Sequence, residues 1–155
     1  MALSAAATGA AGALVLAFAG VASALAAPAD DAPPPSAREL HAAECVAALQ
    51  VNTEALAAKV KAGDESARPL LQSRLEAGTA FVGDTYLHED QDEARARGLA
   101  NAALEAQKSL SAAQLAARQA RCADEGTALL ADANGLERVV VRRMAKKRMD
   151  KLLSN

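Results

Sequence analysis

Ser111-Ala112-Ala113-Gln114 opens the stretch on which the reading of this chain turns. A Ser at the N-cap accepts from the amide three residues on, and a Gln there reaches back to the cap amide, so these four residues have the form of a capping box. Leu110 and Leu115 flank the box at hydrophobic-staple spacing. Leu115, Cys122, Gly126, Leu129, Ala133, Leu136 and Val140 then follow one face in steps of three and four, interrupted only by Gln119. The stripe passes through Asn134-Gly135, a pair with the form of a helix stop. Because the stripe keeps its phase, the expectation is one long helix from Ser111 to Leu153, continuous or kinked. Two helices joined at Asn134-Gly135 are the alternative.

Beyond Val140 the character changes. From Leu136 to Asn155 there are seven basic and two acidic residues, a net of about +5. The rest of the chain carries 10 basic and 17 acidic residues, so a total near zero conceals a lopsided molecule. Cations in a last helical turn complement the helix dipole. The plain reading is a solvated final helix with its apolar stripe on a bundle. The sharper reading is a surface for an anionic membrane, an anionic polymer or an acidic partner. Its candidate contact residues are Arg142, Arg143, Met144, Lys146, Lys147, Arg148, Met149 and Lys151, with Val139 and Leu152 as apolar support.

At the other end, no charged side chain occurs from Met1 to Ala29. Residues 10–21 form an apolar h-region, and Ala24-Leu25-Ala26 places small residues at signal-peptidase spacing. The expectation is an export signal cut after Ala26, with a cut after Ala24 as runner-up. The n-region lacks Lys and Arg, and the alternative is an uncleaved anchor, though an Ala- and Gly-rich run is a weak span. With no Cys near the cut, a lipoprotein anchor is not expected. Residues 27–35 then read as an extended, Pro-rich leader. Residues 36–155 read as one domain, with no transmembrane segment after cleavage.

Alanine accounts for 43 of the 155 residues; there is no Trp, one Tyr and two Phe. A core of Ala with scattered Leu and Val is thin, and at ~25 cal/mol per Å2 of apolar burial it stabilises modestly. A staple is therefore expected. Cys45 and Cys122, 77 positions apart on apolar stripes, form an even count that suits a disulfide in an exported protein. Two buried free thiols are the alternative; the spacing suits neither a zinc ribbon nor a redox C-x-x-C.

The middle of the chain reads as three more helices. Ser36-Ala37-Arg38-Glu39 is a second capping box and Gly63 a C′ residue, so the first helix is expected over about residues 37 to 62. Asp64-Glu65-Ser66 opens the second, with Pro69 in its first turn. Gly78 and Gly83 within it suggest close approach of a neighbour or a cleft. An acidic turn, residues 88–93, precedes a third helix over about 92 to 108; as a cation site it lacks EF-hand spacing. No strand pattern appears. The fold class is all-α: an up-down-up-down bundle with a long, basic C-terminal helix.

Catalytic residues are scarce. His41 and Glu44 give one i, i+3 pair, in the reverse order to a di-iron helix, and no second pair exists. There is no C-x-x-C-H; His41 with Met144 or Met149 is the sole conceivable haem pairing. No nucleophile elbow, Walker loop or H-E-x-x-H occurs. The basic run has no aromatics for nucleic acid. The reading is a periplasmic or secreted binding or adaptor protein, non-enzymatic and without a cofactor, which contacts a protein partner or anionic surface through its basic end. Removing residues 136 to 155 is expected to abolish capture while the bundle stays helical. The alternatives are a small-ligand or metal carrier around Gly78, Gly83 and His41, or peripheral association with anionic lipid.

Overall fold

Three helix starts in this protein are set by a short polar side chain, those of α1, α4 and α5. In a computed structural model that describes residues 33–88 and 93–154, the described residues form five helices and no strand. They are α1 (Ala37–Lys61), α2 (Arg68–His88), α3 (Glu93–Gln107), α4 (Ala112–Asp132) and α5 (Gly135–Ser154). A 3-10 turn, Glu65–Ala67, leads into α2, where a hydrogen bond from Arg68 holds the Glu65 carboxyl below its usual range. The helices belong to the unit Pro34–Asn155. The export signal with its cut, most of the leader and most of the acidic turn with its cation-site reading lie outside the described residues. Pro33, Pro34 and Pro35 are exposed and outside regular structure.

Both expected capping boxes are present. The Glu39 amide donates to Ser36 Oγ at 3.1 Å while the Ser36 amide donates to the Glu39 carboxylate at 2.6 Å. At α4 the Gln114 amide donates to Ser111 Oγ at 3.2 Å and Gln114 Oε1 accepts from the Ser111 amide at 2.9 Å. α1 ends at Gly63, whose φ of +98° is a left-handed value that a side chain would strain. The Gly63 amide donates to the Val60 carbonyl and the Asp64 amide to the Lys59 carbonyl, which is a Schellman closure.

The expected long helix from Ser111 is two helices. The chain leaves α4 at Ala133, in extended geometry. Asn134 is not a stop but the N-cap of α5: its Oδ1 accepts from the amides of Leu136 (2.9 Å) and Glu137 (3.0 Å). The Glu137 carboxylate in turn accepts from the Asn134 amide at 2.9 Å. Asn134-Gly135-Leu136-Glu137 is thus a third capping box, worth about 1 kcal/mol to α5. α5 turns back onto α2, and the apolar stripe changes sides at the break.

The core has two parts. One gathers Ala42, Cys45, Leu49, Ala77, Phe81, Cys122 and Ala123 from α1, α2 and α4. The other gathers Leu56, Val60, Leu71, Leu75, Ala145 and Met149 from α1, α2 and α5. Since early α1 meets late α2 and late α1 meets early α2, those two helices run antiparallel. Cys45 and Cys122 are joined in a disulfide, fully buried in the first part. α3 docks on α1 through Arg95, whose guanidinium meets the Glu39 carboxylate at 2.8 and 3.1 Å. Glu39 is 5% exposed, and its carboxylate both caps α1 and receives α3.

Of the described glycines, the one packed tightest against a neighbouring helix is one whose role the sequence did not signal. A Cβ on Gly126 would lie 2.6 Å from the Ala77 carbonyl oxygen and 2.8 Å from Ala77 Cβ. Gly78, expected at such a contact, would place its Cβ at an ordinary 3.8 Å from Leu49, and Gly83 only at 4.0 Å from Val141. The crossing of α4 over α2 is therefore the tight one.

Gly126→Ala should accordingly destabilise by about 1–3 kcal/mol through overpacking. Gly78→Ala should stabilise by up to ~1 kcal/mol through helix propensity, and urea denaturation of the two variants checks the opposite signs. Replacing both cysteines by Ala should cost about 4 kcal/mol by the loop-closure argument, read as a lower urea midpoint that reductant no longer affects.

Candidate functional site

α5 divides its residues by helical period. Val141, Ala145 and Met149 recur every fourth position and are buried, with Leu152 and Leu153 packed behind them. Ala145 is fully buried, so the small side chain lets α5 sit close on α2. Of the expected contact residues, Arg142, Arg143, Met144, Lys146, Lys147, Arg148 and Lys151 are exposed. Met149 is not: at 7% exposure it packs against the second core. Its position in the basic run concealed that it continues the Val141–Ala145 stripe. The sequence stripe had instead placed Leu136 and Val140 inward, yet Leu136 is 75% exposed and Val140 lies at the surface.

The exposed part of α5 has two flanks. Leu136, Val139, Arg143 and Lys146 follow one another in steps of three and four, with Arg142 beside them. Val140, Met144, Lys147, Arg148 and Lys151 form the other flank. Lys146 meets Asp150 at 3.0 Å, and Arg138 donates to the Ala131 carbonyl in the last turn of α4 at 3.3 Å. Among the described residues no carboxylate lies within 4.0 Å of Arg142, Arg143, Lys147, Arg148 or Lys151. Elsewhere cations are commonly paired: Arg38 with Asp84, Arg68 with Glu65, Arg97 with Glu93, Arg118 with Glu44. The positive charge of α5 is therefore largely unneutralised and faces solvent. Truncating residues 136–155 would remove Val141, Ala145 and Met149 from the core, so the bundle would not be left intact.

Gly78, Gly83 and His41 do not converge. Gly78 lines a cleft between α1, α2 and α5, Gly83 faces Val141, and His41 Nε2 pairs with a Glu125 oxygen at 2.6 Å. His41 Nε2 lies 3.9 Å from Cys45 Sγ, and with Glu125 these atoms fall within 4.8 Å of one another. A sulfur committed to a disulfide is not a thiolate donor, which leaves His41 and Glu125, too few ligands for a closed zinc site. His41 sits edge-on to Phe81 at 6.0 Å between ring centroids, a packing role beside the bridge.

No described helix is long and apolar enough to cross a membrane. No protein-family model, curated protein or solved structure matches the chain.

Proposed function

We propose that this chain is an exported, non-enzymatic helical binding protein, periplasmic or secreted, that meets an acidic protein partner through the exposed face of α5. One observation carries the reading: a helix with seven basic residues leaves six of them without a neighbouring carboxylate among the described residues, Arg138 meeting only a backbone carbonyl. The exposed Leu136 and Val139 lie beside them. Uncompensated charge around an apolar patch supplies both steering and desolvatable area. The remainder of the chain is net acidic, with 10 basic and 17 acidic residues, which favours approach of an acidic partner at α5. The buried disulfide suits an oxidising compartment, in agreement with the reading of residues 1–26 as an export signal.

Two measurements test this. The unreduced protein from its native host should have the mass of residues 27–155 less two hydrogens; a mass that retains residues 1–26 or both thiols overturns export. A photo-crosslinker at Val139 should give a discrete adduct that Arg142→Glu with Arg143→Glu abolishes, with unchanged circular dichroism. A crosslinker at the exposed Ala116 of α4 should give none. An adduct that survives the charge reversal, or that Ala116 also yields, defeats the reading.

A further inference from the structure

Between α1, α2 and α5 lies a cleft of about 550 Å3. Gly78 lines it, and a Cβ there would lie 3.8 Å from the Leu49 side chain. Its apolar walls are Val46, Leu49, Leu75, Val82 and Met144. Thr53 and Thr79 also line it, but their hydroxyls donate to carbonyls of their own helices, Gln50 at 2.9 Å and Leu75 at 2.7 Å. They therefore make little demand for a polar ligand. Gln50, whose amide donates to Glu54 at 3.0 Å, Arg74 from α2 and Lys147, Arg148 and Lys151 from α5 complete the lining, and among the described residues no acidic or aromatic residue lines the cleft.

We infer that this cleft binds a single-chain anionic amphiphile, with the acyl chain along the apolar walls and the carboxylate or phosphate head between Arg74 and Lys147–Arg148. The volume is within the usual range for small-molecule sites and far exceeds what one inorganic ion fills. The walls offer neither a ring for stacking nor a set of hydrogen-bonding groups for a sugar or nucleotide. What they offer is aliphatic surface closed at one side by four cations, complementary to a chain with a charged end. Met144, unbranched and polarizable, is suited to adapt to chains of different length. The cleft shares Lys147, Arg148 and Lys151 with the cations of α5, whereas Arg142, Arg143 and Lys146 do not line it, so charge reversals at the two groups can be told apart.

The test is calorimetric titration of the oxidised chain with fatty acids of eight to sixteen carbons, with lysophosphatidic acid and with the matching alcohols, all below their critical micelle concentrations. Saturable one-to-one binding is expected, tightening about fourfold per added methylene until the chain fills the cleft. The alcohols should bind about tenfold more weakly or worse. Lys147→Glu with Arg148→Glu, both at exposed positions, should cost at least as much while the melting temperature holds. Arg142→Glu with Arg143→Glu should leave affinity unchanged, which separates this site from the protein-contact face. Gly78→Leu should abolish binding by filling the cleft. Preference for the fatty acids identifies a free carboxylate as the head, and preference for the lysolipid a phosphate; either supports the site. Absence of saturable binding, equal affinity for the alcohols, or indifference to the Lys147 and Arg148 reversal would overturn it.

Discussion

An alanine core holds helices together only where their backbones come close, and that constraint governs this molecule. Ala side chains bury little area, so cohesion depends on short interaxial distances and on the few points where a larger group closes the contact. α4 meets the constraint at Gly126, where any side chain would strike the Ala77 backbone. One turn earlier Cys122 is joined to Cys45 on α1. The glycine contact and the covalent bond thus fix the same helix against two neighbours, within four residues of each other. Leu49, Phe81 and Leu129 then fill what the small residues leave.

Polar groups complete the arrangement by serving twice. Glu39 caps α1 and, nearly buried, receives the bidentate Arg95 of α3. A charged pair in that position depends on its geometry and on the remaining hydrogen bonds to offset desolvation, and the Ser36 amide supplies one of them. Asn134 ends the connection from α4 and starts α5 within one residue. Arg138 then returns to the Ala131 carbonyl across the same corner, so the tight turn leaves few backbone groups unsatisfied.

Much of the architecture was legible because caps are local. Ser36, Ser111 and Gly63 act through neighbours within five positions, and spacing alone identifies them. The break at Asn134 was legible by the same rule, since Asn-x-x-Glu has the form of a box, but Gly135 pulled the reading toward a stop. The apolar stripe was the misleading signal. Its phase continued through Leu136 and Val140, whereas a corner reorients the helix after it, and the inward stripe became Val141, Ala145 and Met149. The same error placed Met149 on the contact surface. In the sequence Gly126 is a stripe member like any other, because which glycine faces a backbone depends on where helices cross, and crossings are tertiary information. The cleft beside Gly78 was visible only as one of two meanings of a glycine in a helix.

The cross-link also divides the chain in a way that the folded structure conceals. The covalent ring runs from residue 45 to residue 122 and encloses all of α2 and α3. It therefore lowers the entropy of the unfolded chain for those segments. α5 lies outside the ring, and its part of the core shares no residue with the part that contains the sulfurs. Its ordering cost is borne by three buried side chains and a cap. The cross-link therefore does not oppose local opening of α5, and the most positively charged helix is one that the ring leaves free.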